Sequence, residues 1–163
     1  MLIPTQDECI RILKQNNVPE NIIAHCKKVC EVALKIADIL EKKEIKVNRD
    51  LVIAASLLHD IEKLKEDHVN AGADLIKSMG FNEVANVMRK HGLEHLEEEN
   101  YSPAKIEEKI VFYADKRIKD DEIVSLKERF DYIKNRYRNT NIEKEIEITK
   151  KIEKELIGNE KLE

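Results

Sequence analysis

Residues 51–63 read LVIAASLLHDIEK. From Leu51 to Leu58 the run is apolar nearly all round, which leaves no face for water and predicts a helix at the centre of a core. Asn48 stands where its side chain can cap the first turn of that helix. The run ends in His59-Asp60, a pair of polar groups at the end of the most apolar segment of the chain.

Spacing places further helices on either side. Ile22, His25, Val29, Val32, Ile36 and Ile39 recur at intervals of three and four, so a helix over about 19–43, opened by Pro19, carries an apolar stripe with one histidine set into it. Ahead of it, Thr5 and Glu8 form a capping box for a helix over about 5–16 that ends near Asn16-Asn17. Asp67 or His68 opens a fourth helix, stopped after about Met79 by Gly80. A fifth covers about 82–91, with Val84, Val87, Met88 and His91 on one side and Gly92 as its stop. Ser102-Pro103 signals the start of a sixth, with Ile106, Ile110, Val111, Ala114 and Ile118 facing inward to about Lys119. Ile123, Leu126, Phe130, Ile133 and Tyr137 mark a seventh, and Thr140 with Glu143 offers a capping box for a last, highly charged helix near 141–157.

Composition agrees with an all-α fold. The 163 residues are 42% hydrophobic and 38% charged with only four Gly and three Pro, a balance that suits long amphipathic helices and not a turn-rich sheet protein. The expected architecture is one compact bundle of six to eight helices spanning 1–163, with its core over about 20–120 and a helical extension over 121–158. No stretch of 18 residues is free of charge, and the opening MLIPTQDECI lacks a basic region followed by an apolar core, so a cytoplasmic protein without a membrane segment is expected. Cys9, Cys26 and Cys30 are too few and too unevenly placed for a disulfide framework and are read as reduced thiols. A net charge of −4 gives no general attraction to nucleic acid.

Three histidines point inward from three different helices: His25 between Ile22 and Val29, His59 four after Ala55, and His91 four after Val87. Asp115 is the most telling residue, because it falls four after Val111 and three before Ile118, inside the buried stripe of its helix. An ionised carboxylate there costs several kcal/mol unless it is paired or bound to a cation. A salt bridge to a basic residue of another helix is one solution, since Lys116 and Arg117 point elsewhere around the helix; a metal ion is the other. Two imidazoles with two carboxylates suit a divalent transition ion such as Mn, Fe, Co or Ni that keeps water in open positions, and suit a closed structural zinc site poorly.

The order His25, His59-Asp60, Asp115, with the doublet following an apolar helix, resembles the H…HD…D signature of the HD-domain phosphohydrolases over about residues 20–120, and LLHDIEK at 57–63 is close to the LLHDIGK of the HDIG branch. The resemblance implies a compact HD-type helical bundle with the site at its middle. It also implies hydrolysis of phosphate esters or anhydrides, commonly of nucleotides. By that resemblance His25, His59, Asp60 and Asp115 are metal ligands, Asp60 and Lys63 serve catalysis, and Lys63 meets the substrate phosphate. His68 and His91 match the extra histidines of relatives with two metals, in which the doublet aspartate bridges both ions.

Two departures narrow the reading. Cyclic-dinucleotide phosphodiesterases of this family carry a His-His pair where this chain has His91-Gly92, and it also lacks their Gly-Tyr-Pro motif; the single histidine resembles the branch that splits diadenosine tetraphosphate symmetrically. Glu62 replaces the glycine of HDIG, and Lys63 occupies the place of the catalytic Glu of the 5′-deoxynucleotidase branch, so that role is not transferred. His95 follows His91 by four but beyond Gly92, and reads as a solvated loop residue. Of the basic residues Lys63, Arg89, Lys90, Lys116, Arg117 and Lys119, Lys63 and Arg89 are the ones expected to bind substrate; Tyr101, Phe112 and Tyr113 are the rings on offer for base stacking. The expected function is hydrolysis of a phosphoester or phosphoanhydride, of a nucleotide, by metal-activated water. The alternative is a regulatory domain that senses a nucleotide without turnover. The apolar residues of the last two helices, Phe130, Ile133, Tyr137, Ile146 and Ile152, serve either a homodimer or the chain's own core.

Overall fold

The computed structural model describes residues 1–138 and 141–162. Its elements, in chain order, are α1 (Gln6–Gln15), α2 (Glu20–Lys42), α3 (Arg49–Leu58), α4 (His68–Ser78), α5 (Asn82–Arg89), α6 (Ile106–Lys116), the two short strands β1 (Ile118–Lys119) and β2 (Glu122–Ile123), α7 (Leu126–Arg136) and α8 (Glu143–Leu156). The all-α bundle expected from the sequence is what forms, with one small hairpin added. Among the described residues no helix is long and apolar enough to cross a membrane.

Local chemistry explains most of the boundaries. Thr5 and Glu8 close a reciprocal capping box on α1, and Asn48 accepts from the Leu51 N–H at the start of α3. Gly80, at φ +91, ends the chain path of α4 in the left-handed region that only glycine takes without strain. As predicted, α3 is central: seven of its ten residues are buried, and it packs on α1, α2, α5 and α6. Burying a leucine such as Leu57 or Leu58 stabilises the fold by roughly 1.5–3 kcal/mol.

Several boundaries differ from expectation. Helix α5 stops at Arg89, so His91 and Gly92 lie beyond it, and Gly92 is not its stop. Helix α6 starts at Ile106, not at Ser102-Pro103, because the buried Glu108 carboxylate reaches back to accept from the N–H groups of Ala104 and Lys105 and caps the helix there. The same helix ends at Lys116, since Ile118 and Ile123 pair as antiparallel strands, and α7 begins at Leu126 after its cap Ser125. Glu143 is the first residue of α8; the capping role expected of Thr140 lies outside the described residues.

Much of the apolar surface of α7 and α8 is spent within the chain. Phe130, Ile133 and Ile152 are buried in the core, Ile146 packs against it, and Tyr137 stays half exposed. Lys109 pairs with Glu155 at 2.7 Å, and the Tyr113 hydroxyl bonds the Glu153 carboxylate, which seat α8 on α6. The three cysteines are free and buried, and burial pushes the Cys9 thiol up to about 12 and that of Cys30 to about 11, so both stay protonated.

Candidate metal centre

Six side chains from five stretches of chain converge where α2, α3 and α6 meet. His25 comes from the first half of α2, His59 and Asp60 from the end of α3, His68 from the first turn of α4, His91 from the segment after α5, and Asp115 from the last turn of α6. They form two groups with a common member. His25, His59, Asp60 and Asp115 bring one donor atom each to within 4.8 Å of one another, and so do Asp60, His68 and His91.

The two oxygens of Asp60 face different groups. Its Oδ2 lies 3.4 Å from Nε2 of both His25 and His59, while its Oδ1 lies 3.4 Å from His91 Nε2 and 3.9 Å from His68 Nε2. Asp115 Oδ1 completes the first group, 3.1 Å from His25 Nε2 and 3.2 Å from His59 Nε2.

Three of the imidazoles are anchored through the far nitrogen. His25 Nδ1 donates to the Asp120 carbonyl at 2.7 Å, His59 Nδ1 to the Ser56 carbonyl at 2.6 Å, and His91 Nδ1 to the Met88 carbonyl at 2.6 Å. This fixes the rings with Nε2 toward the site, the arrangement in which a histidine serves a metal. The Asp120 carbonyl is a contribution that helical reasoning missed. Asp120 sits at φ +57 in the two-residue turn of the hairpin, and the signal was present in an Asp-Asp pair between Ile118-Lys119 and Glu122-Ile123.

Charge in the site is densely coupled. Burial opposes ionisation of Asp60, but the neighbouring His59 holds its carboxyl well below the usual carboxylate range. Burial likewise opposes ionisation of Asp115, and Lys116 with His25 and His59 overcomes it. Burial disfavours a charged His59, yet Asp60 and Asp115 raise its pKa well above that of a free imidazole. The second group behaves differently. Burial and the nearby Lys63 push His68 down to about 4, and burial pushes His91 down too, so both rings are neutral and open to a cation near neutral pH.

A divalent ion fits these residues. Asp60 Oδ1 is buried and has no hydrogen-bond partner among the described residues, although it lies between two neutral imidazoles that could share a cation with it. Leaving such an oxygen unsatisfied is costly in a core. Imidazole nitrogens and carboxylate oxygens are the donors that Mn, Fe, Co and Ni accept, and three or four protein donors per ion leave positions for water.

The basic residues sort clearly. Lys63 Nζ lies 3.9 Å from Asp60 Oδ2 with its side chain 45% exposed, at the site and in reach of a ligand. Arg89 is held by Asp74 at 2.9 Å and Asn70 at 2.6 Å, and Lys90 pairs with the buried Glu108. Lys119 lies over the Tyr132 ring, and Arg117 is buried against the Val124 carbonyl and the Tyr113 hydroxyl. Lys116 does not point away from Asp115, as its place in the helix suggested. At the last position of α6 its side chain turns back and pairs with that carboxylate at 2.7 Å, so the basic partner of Asp115 is its own neighbour and not a residue of another helix. Phe112 and Tyr113 are wholly buried and offer no face to a base, whereas Tyr101 is part of a polar contact with Asn70. His95 is exposed and pairs with Glu98. Glu62 is largely buried and pairs with Lys65 at 3.0 Å.

Gly92 has a steric reason to be glycine. A Cβ there would come within 3.0 Å of Val69 Cγ2 on α4, which leaves little room for the second histidine found at that place in cyclic-dinucleotide phosphodiesterases. Gly92→Ala is expected to cost on the order of 1 kcal/mol by crowding, and Val69→Ala in the same chain to recover the part that comes from the clash. Thermal melts of the single and double variants check this. Strictly additive losses would show that Val69 is not the obstacle.

A family model described as HD domain matches residues 22–119. A tRNA (cytidine(56)-2′-O)-methyltransferase of Picrophilus torridus is 34% identical over an alignment of 168 positions that covers 94% of this chain and 47% of that protein. An uncharacterised protein of Methanocaldococcus jannaschii is 30% identical over 138 residues, 72% of this chain and 81% of that protein. A dihydroneopterin 2′,3′-cyclic phosphate phosphodiesterase of the same organism is 37% identical over 113 residues, 58% of this chain and 44% of that protein. The chain thus spans about half the length of the methyltransferase and phosphodiesterase relatives it matches. No solved structure matches it significantly. All six donors fall inside the matched segment, which is more than half of the chain, and the protein belongs to the HD-domain family.

Proposed function

We propose that the chain is a metal-dependent phosphohydrolase that cleaves a phosphoester or phosphoanhydride of a nucleotide or similar small molecule. The observation that carries this reading is the pair of donor groups joined by Asp60, with Oδ1 of that residue buried and unsatisfied. A bound divalent ion supplies Lewis acidity toward a phosphoryl oxygen and makes water a usable nucleophile near neutral pH. His25, His59, Asp60 and Asp115 are proposed to hold the tight ion. Asp60, His68 and His91 would hold a weaker second one. Lys63, the exposed ammonium beside Asp60, is proposed to grip a substrate phosphate oxygen through a charge-assisted hydrogen bond. Arg89, already engaged by Asp74 and Asn70, stands as a secondary substrate contact.

The phosphodiesterase relative makes 2′,3′-cyclic phosphates the first substrates to test, beside mono-, di- and triphosphates and dinucleoside polyphosphates. Activity is expected to require added transition metal and to stop with a chelator. Titration with Mn is expected to show a tight and a loose class. Lys63→Ala should raise KM about tenfold to a hundredfold, the loss of one charge-assisted contact, and leave the tight Mn class in place. Metal-loaded protein that binds a nucleotide but releases product from none of these substrates would favour the sensor reading instead.

A second reading comes from the relatives named as tRNA methyltransferases. Since this chain matches about half of each, the shared segment can accompany the methylating unit without performing its chemistry. Methyl transfer to tRNA by this chain alone would overturn the hydrolase reading.

A further inference from the structure

The last residue of α6 is a lysine that hardly meets water. Lys116 is 3% exposed, and its Nζ donates to Asp115 Oδ2 at 2.7 Å and to the His91 carbonyl at 2.8 Å, with the Phe112 ring centroid 4.8 Å away. An uncharged side chain of similar size would fill the same space without the desolvation that a buried ammonium demands. Packing alone does not account for the choice.

The two contacts belong to different donor groups. Asp115 is in the group with His25 and His59, and His91 in the one with His68; Asp60 is common to both. With Oδ2 taken by Lys116, Asp115 turns Oδ1 toward His25 at 3.1 Å and His59 at 3.2 Å. We infer that Lys116 is a positioning residue for both groups. It presents Asp115 to an ion through Oδ1 alone, and it holds in place the segment from which His91 reaches Asp60. The inference rests on the metal-binding reading above, and it reaches further. A residue that ligates neither ion sets the affinity for both.

The test compares the full chain with its Lys116→Met and Lys116→Gln variants by Mn titration and by the absorption spectrum of bound Co, with a metal-free thermal melt to report folding separately. Lys116→Met is expected to weaken the tight Mn class about tenfold to a hundredfold, as loss of an outer partner of a ligand does. It should weaken the loose class as well. Its Co spectrum should change, because the freed carboxylate can offer both oxygens. Lys116→Gln keeps N–H donors for both acceptors and is expected to restore most of the affinity and the parent spectrum. Lys116→Leu makes the same removal with a different shape, should the methionine variant not fold. Unchanged Mn affinities and Co spectrum in the folded Met or Leu variant overturn the inference, whatever the melting temperature does. A Gln variant as impaired as the Met variant overturns it too. Failure of the parent chain to bind either ion defeats the metal-binding reading, a separate result.

Discussion

Asp60→Ala is expected to empty both donor groups and to lower hydrolysis about a thousandfold or more, while Asp115→Ala empties only the first. The reasoning is geometric. Asp60 sends Oδ2 to His25 and His59 and Oδ1 to His68 and His91, so its removal leaves His68 and His91 with no carboxylate and His25 and His59 with that of Asp115 alone. Asp115→Ala leaves Asp60, His68 and His91 together. An ion that supplies about 4 kcal/mol of charge stabilisation accounts for a thousandfold in rate at about 1.4 kcal/mol per tenfold. Elemental analysis, Mn titration and a rate assay on the two variants measure the contrast, and circular dichroism confirms that the helices persist. Full metal content in Asp60→Ala would refute the shared role.

The largest loss of stability is expected from Phe112→Ala. Phe112 lies in the middle of α6 with no exposed surface, and the Lys116 ammonium sits over its ring. Deleting a buried phenylalanine ring costs about 3–5 kcal/mol in transfer free energy and cavity. For a chain of this size that lowers the melting temperature by on the order of 10 °C. By contrast Leu64→Ala, at an exposed position, should shift stability by no more than about 0.5 kcal/mol. A melt of Phe112→Ala within a degree or two of the parent would mean that the core around α6 closes over the gap. The same ring illustrates a misreading. Its residue type makes it look available for base stacking, but it has no exposed surface to offer.

The central helix, the histidine set into the stripe of α2 and the buried carboxylate on α6 were legible because each obeys a local period. A polar residue at an apolar position of a 3.6-residue repeat announces itself. What periodicity could not show were contacts made after a helix has ended. Lys116 follows Asp115 in sequence and so reads as pointing elsewhere, yet at a helix terminus a long side chain is free to fold back. The start of α6 was misplaced for a related reason. Ser102-Pro103 is a good local signal, but a tertiary pair between Glu108 and Lys90 buries the carboxylate that caps the helix three residues further on. The hairpin escaped notice because two strands of two residues each are too short to establish an alternation.

The donors are far apart along the chain, running from residue 25 to residue 115, and no two helices supply a complete group. An ion held there acts as a cross-link between α2, α3 and α6, and it exists only in the folded chain. By mass action, free ion at a hundred times its dissociation constant adds about 2.7 kcal/mol to stability, comparable to what a disulfide gives a small protein. A chain whose three thiols are all buried and unpaired thus gains a removable staple. With such an ion bound, its endurance against heat and proteolysis would follow the supply of divalent metal in its surroundings, independently of any turnover.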